Sequence, residues 1–356
     1  MEQHVRSRIL EAGTVVNAST KIYLDTNFWV WLRQAQAQDN GSPSSRLLAA
    51  LTAGADRGLL ICPLSESAFI ELFKQEDTET RRATAALMDR LSHGYALLEP
   101  HMRMANEVSN FFHRKAGKSV YEYTELAWCK VSFVLGLIHP SPEAPIPPDV
   151  LLAIQKGVFD EMWSKPLVDI VDGLGSGKAP PIPDFSDTVE KMNEGNSAHA
   201  GEIKSFQQAL KAELGGVAEE FAFAVLETFE RLERERSDWS ADQRFDHSQT
   251  AIRVATNALR HVLQTDVERD RMPSLHIEAS LHASVRWDKK RKLTSNDLFD
   301  FRHASAALAY CDLFFTEKPL RTMIEQNHIA LDRRFECVVR STPADALVSL
   351  IERELA

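Results

Sequence analysis

Short apolar runs that end in polar residues alternate with helix-like segments near the start of the chain. The first run ends at Asp25, and the second is followed by Ser65, a residue suited to cap the helix that comes next. The predicted elements are strands at 21–25 and 59–63 and helices at about 28–38, 46–57 and 66–74. An order of strand, helices, strand and helix is typical of a parallel sheet.

The same alternation returns at the end of the chain, where Thr342 before Pro343 is predicted to cap a C-terminal helix. The elements predicted before it are a helix at 297–310, a strand at 312–316, a short helix at 319–326 and a strand at 335–340. We therefore predict one α/β domain made of residues 1–77 and 291–356. Residues 78–290 form a large, mostly helical insertion in this prediction.

The pattern inside the insertion predicts helix throughout 78–138 and again throughout 189–267. Pro- and Gly-rich segments at 139–148 and 173–187 break it. The insertion is too long for a lid loop, so we expect it to pack beside the α/β core and to cover part of the cleft there.

Composition narrows the classes of protein that this chain can belong to. Its 356 residues are 44% hydrophobic, which excludes wholesale disorder, and its net charge of −10 argues against a protein that wraps nucleic acid by charge alone. The four cysteines are far apart, which fits a reducing cytoplasm better than a disulfide framework or a structural zinc site. No secretory signal or run of ~20 apolar residues is visible, so we expect a cytoplasmic protein without a membrane anchor.

Carboxylates stand at the ends of the predicted strands. Asp25 ends the first strand, Glu66 and Glu71 lie in the helix after the second, and Asp297 and Asp300 begin the helix before the third. Ligands of a parallel sheet bind beyond the carboxyl ends of its strands. Carboxylates that meet there repel one another unless a cation neutralises them, and oxygen ligands favour Mg²⁺ or Mn²⁺. Such a cluster suits the hydrolysis of phosphodiester bonds.

Three motifs in this order resemble those of the PIN-domain nucleases. They are YLDTN at 23–27, ICPLSESAFIELFK at 61–74 and NDLFDFRHASAALAYCDLFFTEKPL at 296–320. The resemblance implies a PIN-like three-layer α/β/α fold with a central parallel sheet, in a larger member of the family. It also implies a ribonuclease that depends on Mg²⁺ or Mn²⁺, and a protein partner that is an antitoxin or a larger complex.

The resemblance assigns the metal to Asp25, Glu71 and Asp300. Two of these assignments have alternatives. Asp25 could cap the following helix, and Glu66 could replace or orient Glu71 unless both glutamates are plain charges at a helix N-terminus. Asp297 is either a fourth catalytic acid or the N-terminal cap of its helix.

The last motif departs from the Thr-x-Asp that many PIN nucleases have, because the run here is Thr316-Glu317-Lys318. Thr316 is expected to orient a carboxylate, and Glu317 could supply the missing acid. Asp312, at the other end of the strand, is expected to be structural. His303 is interpreted as a core or orienting residue rather than a catalytic one.

A basic run just before the acidic helix is a candidate for contact with a phosphate backbone, although a solvated turn explains it as well. The candidate residues for binding nucleic acid are Lys289, Lys290, Arg291, Lys292, Arg302 and Lys318.

Two other functions compete with the nuclease. A phosphatase of the haloacid-dehalogenase type needs a second Asp where this chain has Asn27, which we count only as a supporting residue. A non-catalytic PIN-like module that binds nucleic acid or protein is favoured by the missing acid of the last motif. Retention of Asp25, Glu71 and Asp300 opposes it.

Overall fold

The computed structural model describes residues 1–38, 41–118, 120–136, 146–174, 183–235 and 246–355. The predicted breaks at 139–148 and 173–187 lie largely outside these residues. The strands are β1 (Thr20–Leu24), β2 (Leu60–Ile61), β3 (Tyr95–Leu97), β4 (Trp128–Lys130), β5 (Leu313–Phe315) and β6 (Val338–Arg340).

Helices make up most of the described chain. They are α1 (Glu2–Asn17), α2 (Thr26–Ala37), α3 (Pro43–Asp56), α4 (Glu66–Phe73), α5 (Thr78–Ser92), α6 (Pro100–Lys115), α7 (Val131–Val134), α8 (Pro148–Trp163), α9 (Leu167–Leu174), α10 (Ser186–Ala198), α11 (Phe206–Glu220), α12 (Ala222–Arg234), α13 (Gln249–Leu263), α14 (Asp266–Arg269), α15 (Pro273–Trp287), α16 (Ser295–Tyr310), α17 (Lys318–Ile324), α18 (Leu331–Arg334) and α19 (Pro343–Glu352).

A four-stranded parallel sheet joins the two ends of the chain. Its strand order is β2-β1-β5-β6, and β1 pairs with β5 so that Leu24 lies opposite Phe315. Ile22, Tyr23 and Leu24 are all fully buried, as expected for a parallel strand covered on both faces. The predicted α/β class and the contribution of both chain ends to one sheet are confirmed.

Side-chain caps fix the starts of the helices that follow the strands. Asp25 caps α2, because its Oδ1 accepts hydrogen bonds from the backbone N–H groups of Asn27 and Phe28 at 3.1 and 3.3 Å. Ser65 caps α4 and Thr342 caps α19, both as predicted.

The prediction that 78–138 is helical throughout is wrong. β3 and β4 form an antiparallel pair within it, and a bridge between Leu64 and Ala96 attaches this pair to the chain just after β2. Trp128 and Cys129 are fully buried. A short apolar run of this kind suits a buried strand and a buried helix equally, so periodicity could not separate them.

The helical insertion packs on the α/β core. α15 contacts both α6 and α16, and α1, which the sequence pattern did not predict, packs against β1 and β4. The buried face of α1 carries Ile9, Ala12 and Val16.

The described ranges contain no helix with the length and apolarity needed to cross a bilayer. All four cysteines are buried and free, in agreement with the expectation of no disulfide framework.

Candidate functional site

The candidate site lies at the carboxyl ends of the neighbouring strands β1 and β5. Asp25 directly follows β1, and its Oδ2 accepts a hydrogen bond from the backbone N–H of Glu317, beyond β5, at 3.0 Å. Asp25 is 7% exposed. Burial raises the pKa of its carboxyl to about 6, against the lowering effects of Thr316, His303 and the Phe28 amide.

Asp300 reaches the same region from α16. Burial raises the pKa of its carboxyl to about 7, and the negative charges of Asp25, Glu317 and Asp297 contribute to the rise. Within the part of the chain that the structure describes, the Asp300 carboxyl has neither a hydrogen bond nor an ion pair. The fold therefore places Asp300, from the other end of the sequence, where the charge of Asp25 contributes to its raised pKa.

Glu71 is held by two other side chains. Its Oε2 accepts a short hydrogen bond from the Thr26 hydroxyl and lies 2.9 Å from His303 Nε2. Burial acts to raise the pKa of Glu71, but His303 and Thr26 lower it overall. These contacts therefore favour the charged form of the Glu71 carboxylate.

His303 is almost fully buried and connects Glu71 to β1. Its Nδ1 lies 2.6 Å from the hydroxyl of Tyr23, which in turn contacts Ser65 at a short distance. Burial acts to lower the pKa of His303, but Glu71 first, and then Asp25 and Asp300, raise it overall. A positively charged His303 would stabilise the carboxylates around it.

Three of the other predicted acids have structural partners. Asp297 forms a capping box with Thr294, the true N-cap of α16, and accepts a short hydrogen bond from Arg291, so the alternative that Asp297 itself is the N-cap is corrected. Asp312 accepts a hydrogen bond from the backbone N–H of Lys21 at 2.7 Å, at the opposite end of β5 from Asp25. Glu66 lies 3.7 Å from Arg302 Nη1.

The basic residues divide into paired and unpaired groups. Arg291 is bound to Asp297 and Arg302 lies near Glu66. Of the basic residues predicted to bind nucleic acid, those that are exposed and have no ion pair in the described ranges are Lys289, Lys290, Lys292 and Lys318.

Sequence reasoning missed four residues that contact predicted site residues or their neighbours: Tyr23, Thr26, Lys74 and Phe185. Tyr23 and Thr26 flank Asp25 in the YLDTN motif, so their position was the available signal. Lys74, which ends α4, lies with its Nζ 3.9 Å from the centre of the Phe299 ring. No local signal pointed to Phe185, because it comes from the insertion.

The side chains at the site offer few free oxygen ligands for a divalent cation. Among the described residues, no group of three or more His, Cys, Asp or Glu side chains is arranged to hold a metal ion. Of the predicted acids, Asp25 and Asp300 are left as the two carboxylates that could bind a cation, and their charges repel each other. Beside them the buried hydroxyl of Thr316 is close enough to Asp25 to lower the pKa of its carboxyl, without the geometry of a hydrogen bond. Mg²⁺ is commonly bound by one or two carboxylates, with water and substrate phosphate completing its shell, so the chemistry of these two carboxylates suits such an ion.

Comparisons of the chain with protein-family models, with curated proteins and with solved structures found no match.

Proposed function

We propose that this chain is a metal-dependent nuclease of the PIN-like kind, which hydrolyses phosphodiester bonds in RNA in the cytoplasm. The observation that carries the proposal is that Glu71 contacts both Thr26, which follows Asp25, and His303, which lies on the same helix as Asp300, so that the three motifs meet at the carboxyl edge of a parallel sheet. The charge of Asp25 also contributes to the raised pKa of the Asp300 carboxyl. The repulsion of these two carboxylates is a cost that a bound cation would remove. The order of the three motifs and the parallel sheet support the finer proposal of a three-layer PIN-like domain.

Asp25 and Asp300 would hold Mg²⁺ or Mn²⁺, while Glu71, fixed by His303 and Thr26, adds negative charge beside them. When bound, such an ion lowers the pKa of coordinated water and neutralises charge on the leaving oxygen. Three backbone N–H groups fix the orientation of the Asp25 carboxylate, so that little reorganisation is needed on binding.

The test is a cleavage assay on labelled RNA and DNA oligonucleotides with Mg²⁺, with Mn²⁺ and with EDTA. We expect metal-dependent cleavage of RNA that Asp300→Asn abolishes and Asp345→Asn leaves unchanged. Asp345 is the matched control because it is an exposed acid in the first turn of α19, a helix that packs against α3. Cleavage that persists in Asp300→Asn would refute the assignment of the site.

A second candidate function is a non-catalytic module that binds nucleic acid or protein. It is favoured by the engagement of Glu71 with His303 and Thr26, which leaves two carboxylates rather than three for a cation. Retained binding of RNA without cleavage under any metal condition would support this candidate over the nuclease.

A further inference from the structure

Two cations near the candidate site lie against aromatic rings. Arg302 Cζ is 5.0 Å from the centre of the Phe185 ring, and Lys74 Nζ is 3.9 Å from the centre of the Phe299 ring. The two rings meet edge to face with their centres 5.2 Å apart. The four side chains form one layer, which we call the cation–aromatic layer.

The cation–aromatic layer lies next to the acids of the candidate site. Arg302 lies on α16 between Asp300 and His303, and Lys74 is close enough to Glu71 to lower the pKa of its carboxyl. The only ion pair of Arg302 in the described ranges is the long one to Glu66, and about a third of its side chain is exposed. The guanidinium can therefore meet a ligand without breaking a tight ion pair.

The helical insertion supplies Phe185 and fixes its place. Phe185 directly precedes α10, and α10 is attached to the chain before α16 by Asn193. The Asn193 amide donates a hydrogen bond to the carbonyl of Leu293 and accepts one from the Leu293 N–H, both at 2.9 Å. The Asn193 side chain thus bonds both backbone groups of Leu293 and fixes the position of α10 relative to α16. This holds Phe185 against Arg302.

We propose that the Arg302 guanidinium, braced by Phe185, stacks against an unpaired base of the nucleic-acid substrate beside the acidic site. Arg302 would be the base-contacting residue and Phe185 a positioning residue that acts through it. A guanidinium is planar and stacks on aromatic rings. One of its two faces can therefore lie against Phe185 while the opposite face receives a base. A base inside a duplex has no free face, so the site would select single-stranded segments. This inference rests on the proposed function.

Lysine and arginine differ in a way that separates the contribution of charge to substrate binding from that of the planar guanidinium. The ammonium group of lysine can attract a phosphate but has no flat surface for a base. Replacement of Arg302 by Lys keeps the charge near Glu66 and removes the plane. Replacement of Phe185 by Leu keeps apolar contact with Phe299 and removes the ring that braces Arg302.

The experiment uses the full chain and single-stranded RNA oligonucleotides with phosphorothioate linkages, in which 2-aminopurine replaces each base in turn. Stacking quenches the fluorescence of 2-aminopurine. We expect quenching at one position in the native chain, and its loss in Arg302→Lys and in Phe185→Leu. Binding of the oligonucleotide should weaken about tenfold in each variant.

An abasic nucleotide at the quenched position should weaken binding by the native chain by the same factor and should not weaken binding by either variant further. Arg6→Lys is the matched control, because the Arg6 guanidinium also lies over an aromatic ring, 5.4 Å from the centre of Tyr121, away from α16. It should bind and quench as the native chain does.

The outcomes separate this inference from the proposed function. Quenching together with no cleavage of unmodified RNA in Mg²⁺ or Mn²⁺ would refute the nuclease and support the stacking site. Cleavage by a native chain whose variants bind and quench normally would refute the stacking site alone. Failure of the native chain to bind any oligonucleotide would refute both. If Phe185→Leu lowers the melting temperature strongly, Arg302→Lys still decides the result.

Discussion

Glu107 on α6 gives the sharpest test of the packing between the insertion and the α/β core. Its side chain is fully buried and accepts hydrogen bonds from the backbone N–H of Ser274, at the start of α15, and from the hydroxyl of Tyr310, at the end of α16. Burial raises the pKa of Glu107 from 4.5 to about 7, although Tyr310 and Ser274 act to lower it. The pH dependence of stability therefore reports whether this carboxyl is buried at the junction of three helices.

The folded chain holds the Glu107 proton more tightly than the unfolded chain does, because the folded pKa is the higher one. The resulting stabilisation is fully present below about pH 4.5 and is lost as the pH rises through about 7. Each pKa unit corresponds to about 1.4 kcal/mol, so the loss amounts to about 3 kcal/mol. In Glu107→Gln the side chain stays neutral, and this part of the pH dependence should disappear.

The assay is urea unfolding at a series of pH values from 4 to 8. Relative to Glu107→Gln, the native chain should lose about 3 kcal/mol of unfolding free energy across this range. Tyr310→Phe removes a donor that lowers the Glu107 pKa, so it should move the loss to higher pH. Glu227→Gln, at an exposed position on α12, is the control for the removal of one carboxylate. A difference between the native chain and Glu107→Gln that does not vary with pH would show that the carboxyl is not buried as described.

Three further predictions concern the site and its supports. Mg²⁺ or Mn²⁺ should raise the melting temperature of the native chain by relieving carboxylate repulsion, and a scan of Asp25→Asn should show no such rise; an equal rise in the variant would place the ion elsewhere. Replacement of three unpaired lysines by Ala should weaken RNA binding equally for different sequences; the residues are Lys289, Lys290 and Lys292. In titrations at several salt concentrations, the slope of log binding constant against log salt concentration should be lower in magnitude by roughly 0.7 for each phosphate that the variant no longer neutralises. Asn193→Ala leaves two backbone groups of Leu293 without their partner, so chemical unfolding should show a loss of about 1–3 kcal/mol, whereas an unchanged stability would mean that α10 is held in another way.

The parts of the fold that depend on local pattern were predictable from the sequence. Ser65 and Thr342 cap helices as expected, since capping depends on a side chain and a backbone N–H only three residues away. The strands that end in Asp25 and Thr316 were predictable because apolar runs bounded by polar residues are local features. The β3–β4 pair was missed because its short strands carry no periodic signal, and its formation depends on contact between segments far apart in the sequence.

The same difference between local and tertiary information applies to the site. Motif order located Asp25, Glu71 and Asp300, but it carried no information on which carboxylates are already engaged. The commitment of Glu71 to His303 depends on the packing of α4 against α16, and the contact of Phe185 with Arg302 depends on the docking of α10. Neither contact leaves a trace in the spacing of residues along the chain.

Engagement of the carboxylates indicates where a cation would do most to stabilise the protein. Asp25 is held by backbone N–H groups and Glu71 by His303, so both have compensation for their charge in the fold itself. The Asp300 carboxyl accepts no hydrogen bond from the described residues. His303 acts to lower its pKa, but burial and the negative charges of Asp25, Glu317 and Asp297 raise it overall, which makes its ionised form costly. A cation that binds beside Asp300 would supply the compensation that the fold does not. Asp300→Asn should therefore raise the stability of the protein without metal and, like Asp25→Asn, remove the rise in melting temperature that Mg²⁺ or Mn²⁺ produces.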